Sequence, residues 1–185
     1  MRRLVKDVLI PLAVAVALAF VIQAAVAKPY EIPTESMVPT IRAGDRIVAN
    51  RLIYRFREVE RGDIVVFDPP PSAALTCGDP EGDVPFVKRV VGVAGDVVAV
   101  RSDGVTLVNG EPFDVPRALR PDYSMAFPRV PAGRLLVLGD NRPGSCDSHQ
   151  WRNADGRNDP FVSAASVIGQ AEVTYWPAGR LGFLD

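Results

Sequence analysis

Charge is absent from Val8 to Ala27, and beyond that point hydrophobic residues come in short runs separated by proline, glycine and acidic turns. An uncharged stretch of 20 residues is long enough to cross a hydrocarbon core of about 30 Å as a helix. Pro11 falls in its first turn, where a missing N–H costs little, and Gln23 is its only strongly polar side chain. Arg2, Arg3 and Lys6 favour an N-terminus that stays cytoplasmic. The pattern therefore predicts a cytoplasmic end over residues 1–7, a transmembrane anchor over 8–27, and an extracytoplasmic domain over 28–185. A cleaved signal peptide is the alternative, because Ala25-Val26-Ala27 reads as an A-x-A cleavage site. The apolar stretch is longer than a usual signal-peptide core, and both readings export the domain.

The rest of the chain alternates between strand and turn. Tyr30 to Pro33 is expected to be extended, since residues before proline avoid the helical region. Ser36 to Thr40 is expected to turn. Strands are predicted at Arg46–Asn50, Ile64–Phe67, Phe86–Val91, Val97–Val100, Val105–Val108, Leu135–Leu138 and Ile168–Trp176. Asp103-Gly104 and Asn109-Gly110 are hairpin signals. Residues 68 to 83, with three consecutive prolines, read as a surface loop. Residues 112 to 131 read as irregular, and Arg152 to Pro160 as a polar loop. The fold class is mainly β, an antiparallel sheet domain preceded by one transmembrane helix.

Composition adds constraints. About 155 residues outside the anchor suffice for one domain with a real core. A net charge of −1 provides no broad basic field, so nucleic acid is not an expected partner. Cys77 and Cys146 lie in an exported domain where disulfides persist, but sequence alone leaves pairing and free thiols equally open. With His149 as the one histidine, Cys146, Asp147 and His149 are too few and too crowded for a metal site. No metal or cofactor is inferred.

A serine hydroxyl needs a base before it can attack a carbonyl. Ser36 follows the anchor closely, and two bases are open to it. One is His149 in a Ser–His–acid triad, although nothing like Gly-x-Ser-x-Gly surrounds Ser36. The other is Lys88, in Phe86-Val87-Lys88-Arg89-Val90-Val91. Strand alternation puts Lys88 on one face with Phe86 and Val90, and Arg89 on the other. Burial there would lower its pKa and free its lone pair; alternatively its ammonium reaches water past an apolar edge.

Several ordered motifs resemble the bacterial type I signal peptidase (leader peptidase) family. They are Pro33-Thr34-Glu35-Ser36-Met37-Val38-Pro39-Thr40, Gly44-Asp45, Arg61-Gly62-Asp63-Ile64-Val65-Val66-Phe67, Val87-Lys88-Arg89-Val90-Val91-Gly92 with Gly95-Asp96, Gly139-Asp140-Asn141-Arg142 with Ser145 and Asp147-Ser148, and the closing Ile168 to Gly182. The resemblance covers nearly the whole chain. It implies Ser36 as nucleophile and Lys88 as general base. It implies Thr34 and the Ser36 N–H as the oxyanion hole, and Ser145 as the group orienting Lys88. Asp140, Arg142, Arg89 and Asp147 would support the Ser145 loop by ion pairs. Tyr30, Ile32, Met37 and Val87 would line pockets for small side chains. The chain departs from the family pattern at His149, where arginine is usual, at Thr34, where serine is common, and at Arg152–Pro160, which looks inserted.

The implied function is a membrane-anchored endopeptidase that removes signal peptides from exported preproteins, cutting after A-x-A sequences. Its partners would be those preproteins and the lipid bilayer. Ala25-Val26-Ala27 itself resembles such a substrate. Two alternatives stand beside this reading: an inactive anchored β-domain serving as a binding module, and a self-cleaving Ser–Lys protease of the repressor type, which shares the fold but is cytosolic with a DNA-binding head.

Overall fold

The computed structural model describes residues 9–14, 26–78, 84–115 and 117–184. Residues 10–14 are helical, and no helix among the described residues is long and apolar enough to cross a membrane. Most of the predicted anchor lies outside the described residues.

The larger sheet has eight strands, all antiparallel. They are β1 (Ala27–Glu31), β2 (Arg46–Asn50), β3 (Ile64–Phe67), β4 (Phe86–Gly92), β9 (Arg134–Leu138), β10 (Phe161–Ser163), β11 (Val167–Trp176) and β12 (Gly182–Phe183). The order is β1-β2-β11-β3-β4-β9-β10, with β12 also on β11. A smaller sheet holds β5 (Val98–Val100), β6 (Thr106–Val108), β7 (Glu111–Phe113) and β8 (Met125–Ala126), ordered β7-β6-β5-β8. The β6–β7 turn is made by Asn109 and Gly110 with φ of 55° and 89°, the doubly positive pair that a type I′ hairpin requires.

The predicted strands all form within a residue or so of their expected ends. One expectation is corrected. The segment read as a surface loop contains a helix, α1 (Pro71–Cys77), with Ser72, Ala73 and Ala74 buried. Pro71 opens it at a position where proline's missing N–H is harmless, and Gly78 closes it in the left-handed conformation. The short strands β10 and β12 lie beyond the predicted set, and β7 and β8 lie in or at the edge of the stretch expected to be irregular.

Three hydrophobic clusters fill the interior. One lies under the Ser36 turn and includes Ile32, Met37, Ile41, Ile47 and Ile64. The second packs Phe67, Val90, Val137 and Trp151. The third joins Val91, Leu136 and Leu138 to Val98 and Val108 of the smaller sheet. Val87 packs on the first cluster, Phe86 on the second. The alternation read along β4 is therefore the one that the core uses.

Candidate active site

Ser36 stands in the turn between β1 and β2, and a neighbouring loop holds that turn in place. The Asn141 N–H donates to Ser36 O at 3.1 Å, and Asn141 Nδ2 donates to Glu35 O at 3.0 Å. Thr40 Oγ1 donates to Asp140 Oδ2 at 2.5 Å. Gly139 makes the approach possible. A Cβ there would lie 2.2 Å from Ser145 Oγ and 2.4 Å from Ser36 O, so only glycine fits without displacing backbone.

Lys88 projects from β4, 5% exposed. Its Nζ donates to Ser36 Oγ at 2.8 Å and to Val87 O at 3.1 Å, and lies 5.4 Å from the Phe86 ring centroid. Burial pushes its pKa down to about 8, against the opposing charge of Asp147. The lysine does not reach out to water. His149, the other base open to Ser36 from sequence, is engaged elsewhere: its Nδ1 lies 2.7 Å from Asp147 Oδ1 and its ring stacks on Tyr123 at 4.1 Å.

Thr34 Oγ1 lies 3.3 Å from Ser36 Oγ. Ser36, Lys88 and Thr34 share a cavity of about 390 Å³ with all four expected pocket residues, Tyr30, Ile32, Met37 and Val87. The cavity runs between two strand edges. Among the described residues, β1 pairs only with β2. In β4, Phe86 to Lys88 pair with β3, and pairing to β9 starts only at Arg89. The opposite edge of Phe86–Lys88 is therefore unpaired in the sheet where it lines the cavity.

The supporting residues form a different network from the expected set of ion pairs. Arg89 and Asp140 do pair, with Nε and Nη2 each donating to the carboxylate at 2.8 Å. Both side chains are almost wholly buried, and removing one partner of such a pair costs about 3–5 kcal/mol. Asp147 accepts from the Gly139 N–H at 2.8 Å, and its Oδ1 lies 2.7 Å from His149 Nδ1. Arg142 makes no ion pair among the described residues. Its Nε donates to Gly139 O at 3.1 Å and its Nη1 to Thr106 Oγ1 at 3.0 Å, while Nη2 has no partner. The expected bond from Ser145 to Lys88 is not made: Ser145 Oγ is buried and has no hydrogen-bond partner among the described residues.

Sequence reasoning missed two parts of the site. Strand alternation places Phe86 beside Lys88 but does not show that its ring faces the Lys88 ammonium. Cys77 and Cys146 are joined in a disulfide, with Cα atoms 5.9 Å apart, and both line the cavity. Nothing in a single sequence fixes that pairing.

Comparison with known proteins follows the same lines. Residues 5–176 match the family described as signal peptidase, peptidase S26. A protein named signal peptidase I from Leptolyngbya laminosa is 41% identical over 91% of this chain and 78% of its own length. Probable signal peptidase I-1 of Synechocystis sp. is 36% identical over 97% of this chain and 87% of its own. A solved signal peptidase I from Enterococcus faecalis V583 aligns at 26% identity and a TM-score of 0.45, over 62% of this chain and 97% of that one. The extent of the family match, together with the identity to those two relatives, establishes that the chain belongs to the signal peptidase family, peptidase S26.

Proposed function

We propose that the chain is a membrane-anchored serine endopeptidase that removes signal peptides from exported preproteins, with Ser36 as nucleophile and Lys88 as base. The observation that carries this reading is Lys88 Nζ at 2.8 Å from Ser36 Oγ, inside an apolar cleft bounded by two unpaired strand edges. An extended peptide can add to such edges through its main chain, leaving alternate side chains to the pockets. Tyr30, Ile32, Met37 and Val87 narrow the cleft toward small side chains, in keeping with alanine at the first and third positions before the cut.

Neutral Lys88 accepts the Oγ proton as Ser36 attacks the scissile carbonyl. The Ser36 N–H and the Thr34 hydroxyl stabilise the oxyanion. The lysine ammonium then protonates the leaving amine, and an ester to Ser36 remains. Water, deprotonated by the same lysine, hydrolyses that ester and restores the serine. Ser145, whose buried hydroxyl has no hydrogen-bond partner among the described residues, packs against Gly139 in the loop that holds the Ser36 turn. Asp140, Arg89, Asp147 and Arg142 hold the loop and leave the chemistry to others. Residues 8–27 anchor the enzyme with its N-terminus in the cytoplasm, so enzyme and membrane-inserted substrate share a surface.

Detergent-solubilised full chain incubated with a preprotein tests the assignment. Wild type releases the mature protein, whereas Ser36→Ala and Lys88→Arg leave the preprotein intact. Arginine stays protonated and cannot act as a base. Cleavage by Lys88→Arg at the wild-type rate sinks the dyad.

A further inference from the structure

The Cys77–Cys146 disulfide stands inside the reaction cleft. Both cysteines line the same cavity as Ser36 and Lys88, and both are half-buried. Both pack on the cluster that Phe86 joins, and the Phe86 ring faces Lys88 Nζ. Cys146 sits between Ser145, whose hydroxyl has no partner among the described residues, and Asp147, which holds the Gly139 N–H. Other ties from α1 lead away from this point: Ser72 Oγ donates to Asp159 O, and Thr76 Oγ1 accepts from the Arg152 N–H. The disulfide joins α1 to the catalytic loop at the wall of the cleft itself.

We propose that the Cys77–Cys146 disulfide is a positioning element of this reaction: it holds the cleft wall closed beside Lys88 and fixes the Ser145–Asp147 segment, so that reduction by a dithiol turns the peptidase down. The inference rests on the Ser36–Lys88 reading. The chemistry is ordinary exchange. A dithiol thiolate attacks one cystine sulfur and forms a mixed disulfide; its second thiol closes a ring and leaves as a cyclic disulfide. Two electrons and two protons remain on Cys77 and Cys146 as thiols. A dithiol small enough to enter the cleft reaches the sulfurs without unfolding the domain.

Opening the wall admits water to Lys88. Burial is what lowers its proton affinity, so hydration raises it again. Among the described residues, Asp147 is the charge acting on Lys88. Arg89, next along β4, is engaged by Asp140, and Ser36 and Thr34 are neutral. Each unit by which the lysine pKa rises cuts its neutral fraction at pH 7 about tenfold.

The test uses the oxidised full chain in detergent. The parameters kcat and KM are measured on a preprotein from about pH 6 to pH 10, before reduction with dithiothreitol, after it, and after reoxidation. Free thiols are counted and far-UV circular dichroism is followed throughout; Cys77→Ser and Cys146→Ser are run in parallel. The expected result is a low-pH limb of kcat moved up by about one unit and an activity loss of about tenfold at pH 7, recovered at alkaline pH and on reoxidation. KM moves less than kcat. Two outcomes overturn the proposal: an enzyme with two free thiols and an unchanged kcat profile, or a loss equal at all pH values that tracks loss of the circular dichroism signal. Failure of the oxidised wild type to cut at all overturns the peptidase reading, and this inference with it.

Discussion

At the scale of the residue, the role proposed for Lys88 sets reactivity against stability. Its proton leaves near pH 8 in the folded protein and near about 10.4 in an unfolded chain. Between those values the unfolded state binds one more proton, so folding stability rises with pH across that window. Below pH 8 the folded protein carries a buried ammonium, a penalty on the order of 3 kcal/mol. Two outcomes follow. The rate of peptide cleavage should climb through an apparent pKa near 8, measurable as the acidic limb of the kcat profile; a limb near 10 would mean that the lysine is solvated during turnover. Lys88→Met, which keeps the volume and removes the charge, should abolish cleavage yet melt at a higher temperature than wild type at pH 6. The advantage should shrink as pH approaches 10. A lower melting temperature at pH 6 would contradict the burial argument.

At the scale of the element, the site depends on a loop pressed onto a turn. The loop after β9 hydrogen-bonds the Ser36 turn through Asn141 and Asp140, and the Gly139 backbone lies against both Ser36 and Ser145. Gly139→Ala should drive a methyl group into Ser36 O and Ser145 Oγ, costing about 1–3 kcal/mol. Because the contact is with the backbone of Ser36, the proposed nucleophile, kcat should fall well beyond what the lost stability explains. Wild-type kcat with an unchanged melting temperature would show that the two segments can part freely.

The same elements show what a single sequence discloses. The strands were legible because Ile64–Phe67, Phe86–Val91 and Leu135–Leu138 are valine- and leucine-rich runs closed by turn residues. Helix α1 was not, because the prolines at 69 to 71 read as breakers when the last of them opens the helix. Lys88 could be placed on an apolar face by alternation, but its contact with Ser36 depends on the sheet bringing together residues 52 positions apart. The Arg142 contacts failed as ion-pair expectations because Gly139 O and Thr106 Oγ1 occupy the guanidinium. Sequence names charged groups without fixing their partners.

At the scale of the whole molecule, β1 links the segment predicted to enter the bilayer to the Ser36 turn, and the Arg51 N–H holds its start through Val26 O at 2.8 Å. Tethering raises the effective concentration of enzyme and substrate on one surface without altering the chemistry. Deleting residues 1–25, which leaves β1 and the Val26 contact intact, should preserve the rate on a soluble peptide. Processing of a preprotein embedded in vesicles should fall by about tenfold or more. Equal losses on both substrates would show that the segment supports the domain rather than its encounter with the membrane.

The unpaired edges of β1 and Phe86–Lys88 have a consequence for timing. On the proposed strand-addition mode, the cleft cannot engage a chain that has already satisfied its own main-chain hydrogen bonds. Small side chains at the cut are then necessary but not sufficient, and discrimination begins with conformation. An emerging preprotein faces a race between cleavage and local folding around the scissile bond. A passenger that folds early, close to its own start, escapes an enzyme that would otherwise accept its sequence.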